Sequence, residues 1–110
     1  MALGNNSAMV ISGRTGFATG INGVYERYAG MHDNYPVFRM PAANTKLRDL
    51  FLYYHGQNRA WAIAEEVGSS RIVGYNPDGT SLPCLARAAW KITDPRGQFL
   101  DDHRVMCSEF

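Results

Sequence analysis

The sequence predicts an all-β domain, a small antiparallel sandwich or barrel of about six to eight short strands, with room for one short helix. Three observations lead there. Short runs alternate apolar and polar residues, turn-forming residues recur between them, and the chain is rich in rings, with two Trp, six Tyr and five Phe. At 110 residues it has the size of one domain and no room for a second core.

Taken in order, residues 1–8 are small and polar and read as a disordered tail, leaving 9–110 as the single β-rich domain. Met9-Val10-Ile11-Ser12 is a short strand stopped by Gly13. A glycine-punctuated entry follows, ending at Asn22-Gly23, a pair that favours a tight turn because both residues tolerate positive φ. Val24 to Tyr28 alternates as a half-buried strand does. A loop from Ala29 to Tyr35 leads to a strand at Pro36–Met40, and Pro41 to Asp49 could hold a short turn of helix.

Leu50-Phe51-Leu52-Tyr53-Tyr54 is the clearest strand. His55-Gly56-Gln57-Asn58 has turn chemistry, and Arg59 to Ile63 would return as its hairpin partner. Here two readings compete. Ala60 to Val67 consists largely of helix formers, with Gly68 where a C-terminal glycine belongs. Yet Trp61 and Ile63 alternate with alanines, and two helical turns alone are marginal. Strand over Trp61–Ala64 is the better reading. Arg71 to Tyr75 is a further strand, ended by Asn76-Pro77-Asp78-Gly79. Ala88 to Ile92 alternates again, Asp94-Pro95-Arg96-Gly97 has hairpin composition, Gln98-Phe99-Leu100 leads away, and Arg104 to Cys107 could be the last strand.

Composition narrows function. The formal charge is +1, from eleven basic and ten acidic residues. The basic residues are scattered, whereas phosphate neutralisation needs them clustered, so no nucleic-acid partner is expected. Cys84 and Cys107 read as two buried thiols, although a disulfide between them stays open. The first residues lack the basic start and apolar run of a secretory signal, and no stretch approaches the ~20 apolar residues of a membrane span. An intracellular soluble protein is the expectation. Asn5-Asn6-Ser7 fits a glycosylation acceptor, relevant only to a secreted chain.

The candidate chemistry is thin. His32-Asp33 and Asp101-Asp102-His103 bring histidine and carboxylate together, but both fall in expected loops, and a metal needs ligands that converge. Cys84 or Cys107 with His55 or His103 could form a nucleophile–base pair, but no orienting group or oxyanion site is apparent. Glu65-Glu66 reads as a solvated edge. The Gly13, Gly16, Gly20 and Gly23 series lacks the Lys-Ser/Thr ending of a phosphate loop. No enzyme, metal or cofactor is expected.

One further feature is the order of the landmarks: Gly13 and Gly16, Ile21-Asn22-Gly23-Val24-Tyr25-Glu26, Pro36-Val37-Phe38, Leu52-Tyr53-Tyr54, Trp61-Ala62-Ile63 and Trp90. This order resembles a small β-rich module recurring in multidomain proteins of unicellular algae and other protists, with Phe38 where tyrosine is commoner. The similarity runs over residues 11–107. It implies a non-catalytic accessory or interaction domain with no catalytic residues to transfer.

The expected core is Tyr25, Phe38, Leu52, Tyr54, Trp61, Ile63, Trp90 and Ile92. The expected interaction surface is Tyr35, Arg39, Tyr53 and Tyr75, since exposed tyrosine and arginine favour protein interfaces. The resulting expectation is a protein-binding accessory or structural subunit. The alternative is a carbohydrate or small-ligand binder using the same tyrosines.

Overall fold

The computed structural model describes residues 8–43 and 48–110. Nine strands form one antiparallel sheet: β1 (Ala8–Ser12), β2 (Gly23–His32), β3 (Tyr35–Met40), β4 (Leu50–His55), β5 (Ala60–Ala64), β6 (Ile72–Asn76), β7 (Trp90–Thr93), β8 (Phe99–Asp102) and β9 (Met106–Glu109). Strands β1 to β8 run side by side in chain order, and β9 returns to pair with β1. The sheet curls into a half-barrel.

All eight residues expected in the core lie in one buried cluster inside this curl, together with Met9, Ile11, Ile21, Met40 and Val105. Their placement follows from the strand period: Tyr25, Phe38, Leu52, Ile63 and Ile92 occupy inward positions on β2, β3, β4, β5 and β7, with Gly74 of β6 between the last two. Enclosing a ring such as Phe38 contributes about 2–3 kcal/mol. Polar tips that enter the core find partners, as burial demands. Tyr25 Oη donates to the Ile21 carbonyl at 2.6 Å, and Trp61 Nε1 donates to the Thr80 carbonyl at 2.8 Å. Asn76 Nδ2 donates to the Ala88 carbonyl at 2.8 Å. The last two bonds hold the long β6–β7 connection against the barrel interior.

Residues 60–64 form a strand, and every one of them is buried. Trp61 and Ile63 face inward, while Ala62 and Ala64 belong to a second apolar cluster outside, with Val37 and Tyr53. Burial on both faces outweighs the helix preference of the alanines.

Several local expectations need correction. Among the described residues the strands number nine, because Phe99–Asp102, read as a segment leading away, pairs with β7 as β8. Asp101 and Asp102 therefore stand on a strand and not in a loop. Asn22-Gly23 does not make a hairpin turn. Asn22 is extended, at φ −67° and ψ 134°, and its side chain instead bonds both the Arg14 N–H and the Arg14 carbonyl.

The loop expected from Ala29 to Tyr35 is mostly strand. β2 continues to His32 across a bulge between Tyr28 and Met31, and Asp33-Asn34, with φ of 50° and 70°, make a two-residue hairpin turn. Ala8, placed in the expected tail, begins β1. The rest of that tail, with the Asn5-Asn6-Ser7 motif, and the middle of the expected 41–49 helix lie outside the described residues.

Only three residues separate β8 from β9, yet the two lie at opposite ends of the strand order. The turn closes with Val105 N–H donating to the Asp102 carbonyl at 3.2 Å. Gly13 makes this crossing possible. Its φ is +94°, and a Cβ there would fall 1.9 Å from the Arg104 carbonyl oxygen.

Candidate binding surfaces on the outer face

The outer face of the half-barrel carries a row set by strand register: Tyr28 opposite Val37, Tyr53 opposite Ala62, and Ala62 opposite Tyr75. Alternation along β4 sends Tyr54 inward and Tyr53 outward. Tyr53 is nevertheless fully buried. Val67 packs on its cluster, and Tyr53 Oη donates to the Ser69 carbonyl at 3.4 Å. The imidazole of His32 meets it edge-on at 5.4 Å. Burial pushes the Tyr53 hydroxyl pKa up, with backbone hydrogen bonds at Gly68 and Ser69 pulling against it. The expectation that Tyr53 offers an interaction surface is therefore corrected: the 65–71 loop covers it.

Tyr35 is half-buried and stacks on Tyr54 at 4.0 Å, with its ring edge-on to Trp61 at 5.8 Å. It finishes the inner core more than it offers a contact. Arg39 and Tyr75 are half-buried and stand on β3 and β6, on either side of β4 and β5. The four expected surface residues thus do not converge.

On one side lies a patch on β2, β3 and β4. Tyr28 is 40% exposed and Met31 60%. The ring of Phe51 meets Tyr28 edge-on at 5.5 Å, and the Arg39 guanidinium sits 5.2 Å from the Tyr28 ring centre. Arg39 Nε lies 3.4 Å from Asp49 Oδ2 but has no aligned hydrogen-bond acceptor among the described residues. The β2 bulge shapes this patch, and Arg27 Nη1 holds it by donating to the carbonyls of Tyr28 and Gly30 at 2.6 and 2.9 Å. Arg39 and an exposed Tyr28 ring are legible in the sequence, but Met31 and Phe51 are not, because the bulge that raises Met31 leaves no mark in the alternation.

On the other side a groove of about 460 Å³ is lined by His55, Asn58, Ala60, Ala62, Ser70, Ile72, Tyr75, Pro77 and Phe99. Tyr75 and Phe99 meet edge to face at 5.3 Å. His55 Nδ1 is buried without a hydrogen-bond partner among the described residues.

The residues considered for catalysis do partly assemble. Cys84, His103 and Cys107 line one cavity of about 350 Å³ with Trp90 and Val105. Its chemistry opposes nucleophilic use. Burial, and secondarily Cys84, pushes the Cys107 thiol up to about 12. Burial, then Glu109, raises Cys84 as well. A thiol nucleophile needs the opposite shift. Both cysteines are free.

His32 Nε2 lies 3.2 Å from Asp33 Oδ2, which also accepts from the Gly56 N–H at 2.8 Å, so that carboxylate joins two hairpins. Asp101 pairs with Lys91, and Glu65 pairs with Arg48 at 3.6 Å. Among the described residues no three His, Cys, Asp or Glu side chains group as metal ligands, and no helix is long and apolar enough to cross a membrane. No family model, curated protein or solved structure matches the chain.

Proposed function

We propose that this chain is a non-catalytic interaction module that docks a protein partner through the outer face of β2, β3 and β4, as an accessory subunit of a larger assembly. One contrast supports this reading. The chain folds residues 65–71 over the Tyr53 half of its outer face, while among the described residues Tyr28 and Met31 stay exposed beside it, with Phe51 and Arg39 half-buried against them. Tyrosine, methionine, phenylalanine and arginine are the residues that interface centres concentrate. The Arg39 fork over Tyr28 is already ordered by the ring and by Asp49, so it loses little freedom when it meets a partner carboxylate.

The test is native mass spectrometry of the protein isolated from its own source, with a photo-crosslinking residue at position 31 to mark the contact. A partner crosslinked through position 31, and released by Tyr28→Ser with Arg39→Ala, is the expected result. Purification as a lone monomer, or a partner retained by that double variant, would overturn it.

A further inference from the structure

The groove between the 65–71 loop and the β6–β8 edge is the second uncovered feature of the outer face, and it is distinct from the docking patch. The geometry points to a binding site for a neutral saccharide, flanked by the Tyr75 and Phe99 rings. Ser70 at the end of the covering loop, Ile72 and Tyr75 of β6 and Phe99 of β8 line it, over the small, buried Ala60 and Ala62 of β5. Its volume of about 460 Å³ lies within the range of small-molecule sites.

Charge selects the ligand class. None of the nine lining residues is a carboxylate, lysine or arginine. The nearby Lys91 is engaged by Asp101 across β7 and β8. Among the described residues the lining offers an anionic or cationic ligand no carboxylate, lysine or arginine as counter-charge, and a neutral one has none to lose. The walls then select amphipathic chemistry. In an edge-to-face pair each ring keeps at least one face clear of the contact, and an aromatic face suits the C–H side of a sugar ring. Around it, Asn58, Ser70 and the Tyr75 hydroxyl are donors and acceptors suited to hydroxyl groups.

His55 closes one end of the groove. Its Nδ1 is sequestered without a hydrogen-bond partner among the described residues, and an orphaned buried N–H is less tolerable than an orphaned acceptor. The proton therefore belongs on Nε2, which becomes a donor for a ligand oxygen. A purely apolar ligand would leave this ring of polar groups unpaired.

The experiment is a glycan array carrying neutral gluco-, manno- and galacto-oligosaccharides beside sulfated and sialylated ones, followed by calorimetry with the strongest neutral probe. Binding confined to neutral oligosaccharides is expected, with Tyr75→Ala and Phe99→Ala each weakening it by about tenfold or more. Asn58→Ala, on an exposed turn, should weaken it without moving the melting temperature. Tyr28→Ser should leave it intact, which separates this site from the docking patch. No neutral probe bound, preference for the charged glycans, or full affinity in Phe99→Ala and Asn58→Ala would each overturn the assignment.

Discussion

Arg14 Nη1 donates to Asp102 Oδ2 at 2.9 Å, tying the segment after β1 to the end of β8. The carboxylate is only 6% exposed. Its other oxygen accepts from the Arg104 N–H at 3.0 Å and from Arg104 Nε at 3.2 Å. Arg14 is itself fixed by Nε donating to the Phe17 carbonyl at 2.6 Å. This pair spans the place where the curled sheet does not close.

Breaking it should be costly, because a buried charge would lose its counter-charge. Asp102→Asn is expected to destabilise the fold by about 3 kcal/mol, read as a lower urea midpoint with an unchanged slope. The pH dependence follows from the Asp102 carboxyl. Burial alone would push its pKa up, but the hydrogen bonds from Arg14 and Arg104 outweigh that and hold it below the usual carboxylate range. A group depressed in the folded state contributes its full stability above the unfolded pKa of about 4. That contribution drains away as pH falls through the folded value. Native protein should therefore lose stability on acidification below pH ~4, and Asp102→Asn should show a flatter acid limb.

Gly13 and Gly16 both have positive φ, at +94° and +77°, but they differ in surroundings. A Cβ at Gly13 would collide with the Arg104 carbonyl, whereas nothing lies within 4 Å of one at Gly16. Gly16→Ala should cost about 1 kcal/mol from backbone strain alone. Gly13→Ala should cost at least about 3 kcal/mol or prevent folding. Thermal melts of the two variants side by side check this, and equal costs would contradict the crossing geometry.

Trp61 joins the core to the β6–β7 connection through its indole N–H. Trp61→Phe removes that bond to Thr80 and leaves a hole, for an expected loss of about 2–3 kcal/mol. The connection should loosen as well, so limited trypsin digestion should cut faster at Arg87, an exposed residue in it.

The cysteines should react slowly. With Cys107 at about 12, roughly one thiol in ten thousand is ionised at pH ~8. Iodoacetamide should modify Cys107 at pH 8 only in denaturant, with native Cys84 reacting first. Rapid native labelling at Cys107 would show that its site opens.

The sequence exposed the core well, because strand period and ring content act locally: Phe38, Leu52, Trp61 and Ile92 could each be placed from their neighbours. What it hid depends on contacts far along the chain. Tyr53 has the alternation of an outward residue, and only the arrival of the 65–71 loop buries it. Asp102 sits among loop-forming residues, and its strand position depends on pairing with Trp90. The groove joins His55 to Phe99, residues whose proximity no local pattern encodes. Asn22 misled because its turn chemistry is used by its side chain on Arg14 and not by its own backbone.

The strand order also bears on how the chain folds. Every ladder except one joins strands that are neighbours in sequence, so each can zip from its own hairpin. The exception, β1 with β9, brings Ile11 opposite Cys107 and must close almost the whole chain into a loop. That entropy is met only once the other strands are in place. The β1–β9 ladder should thus form last and open first, and its amides should exchange with deuterium well ahead of those in β4 and β5.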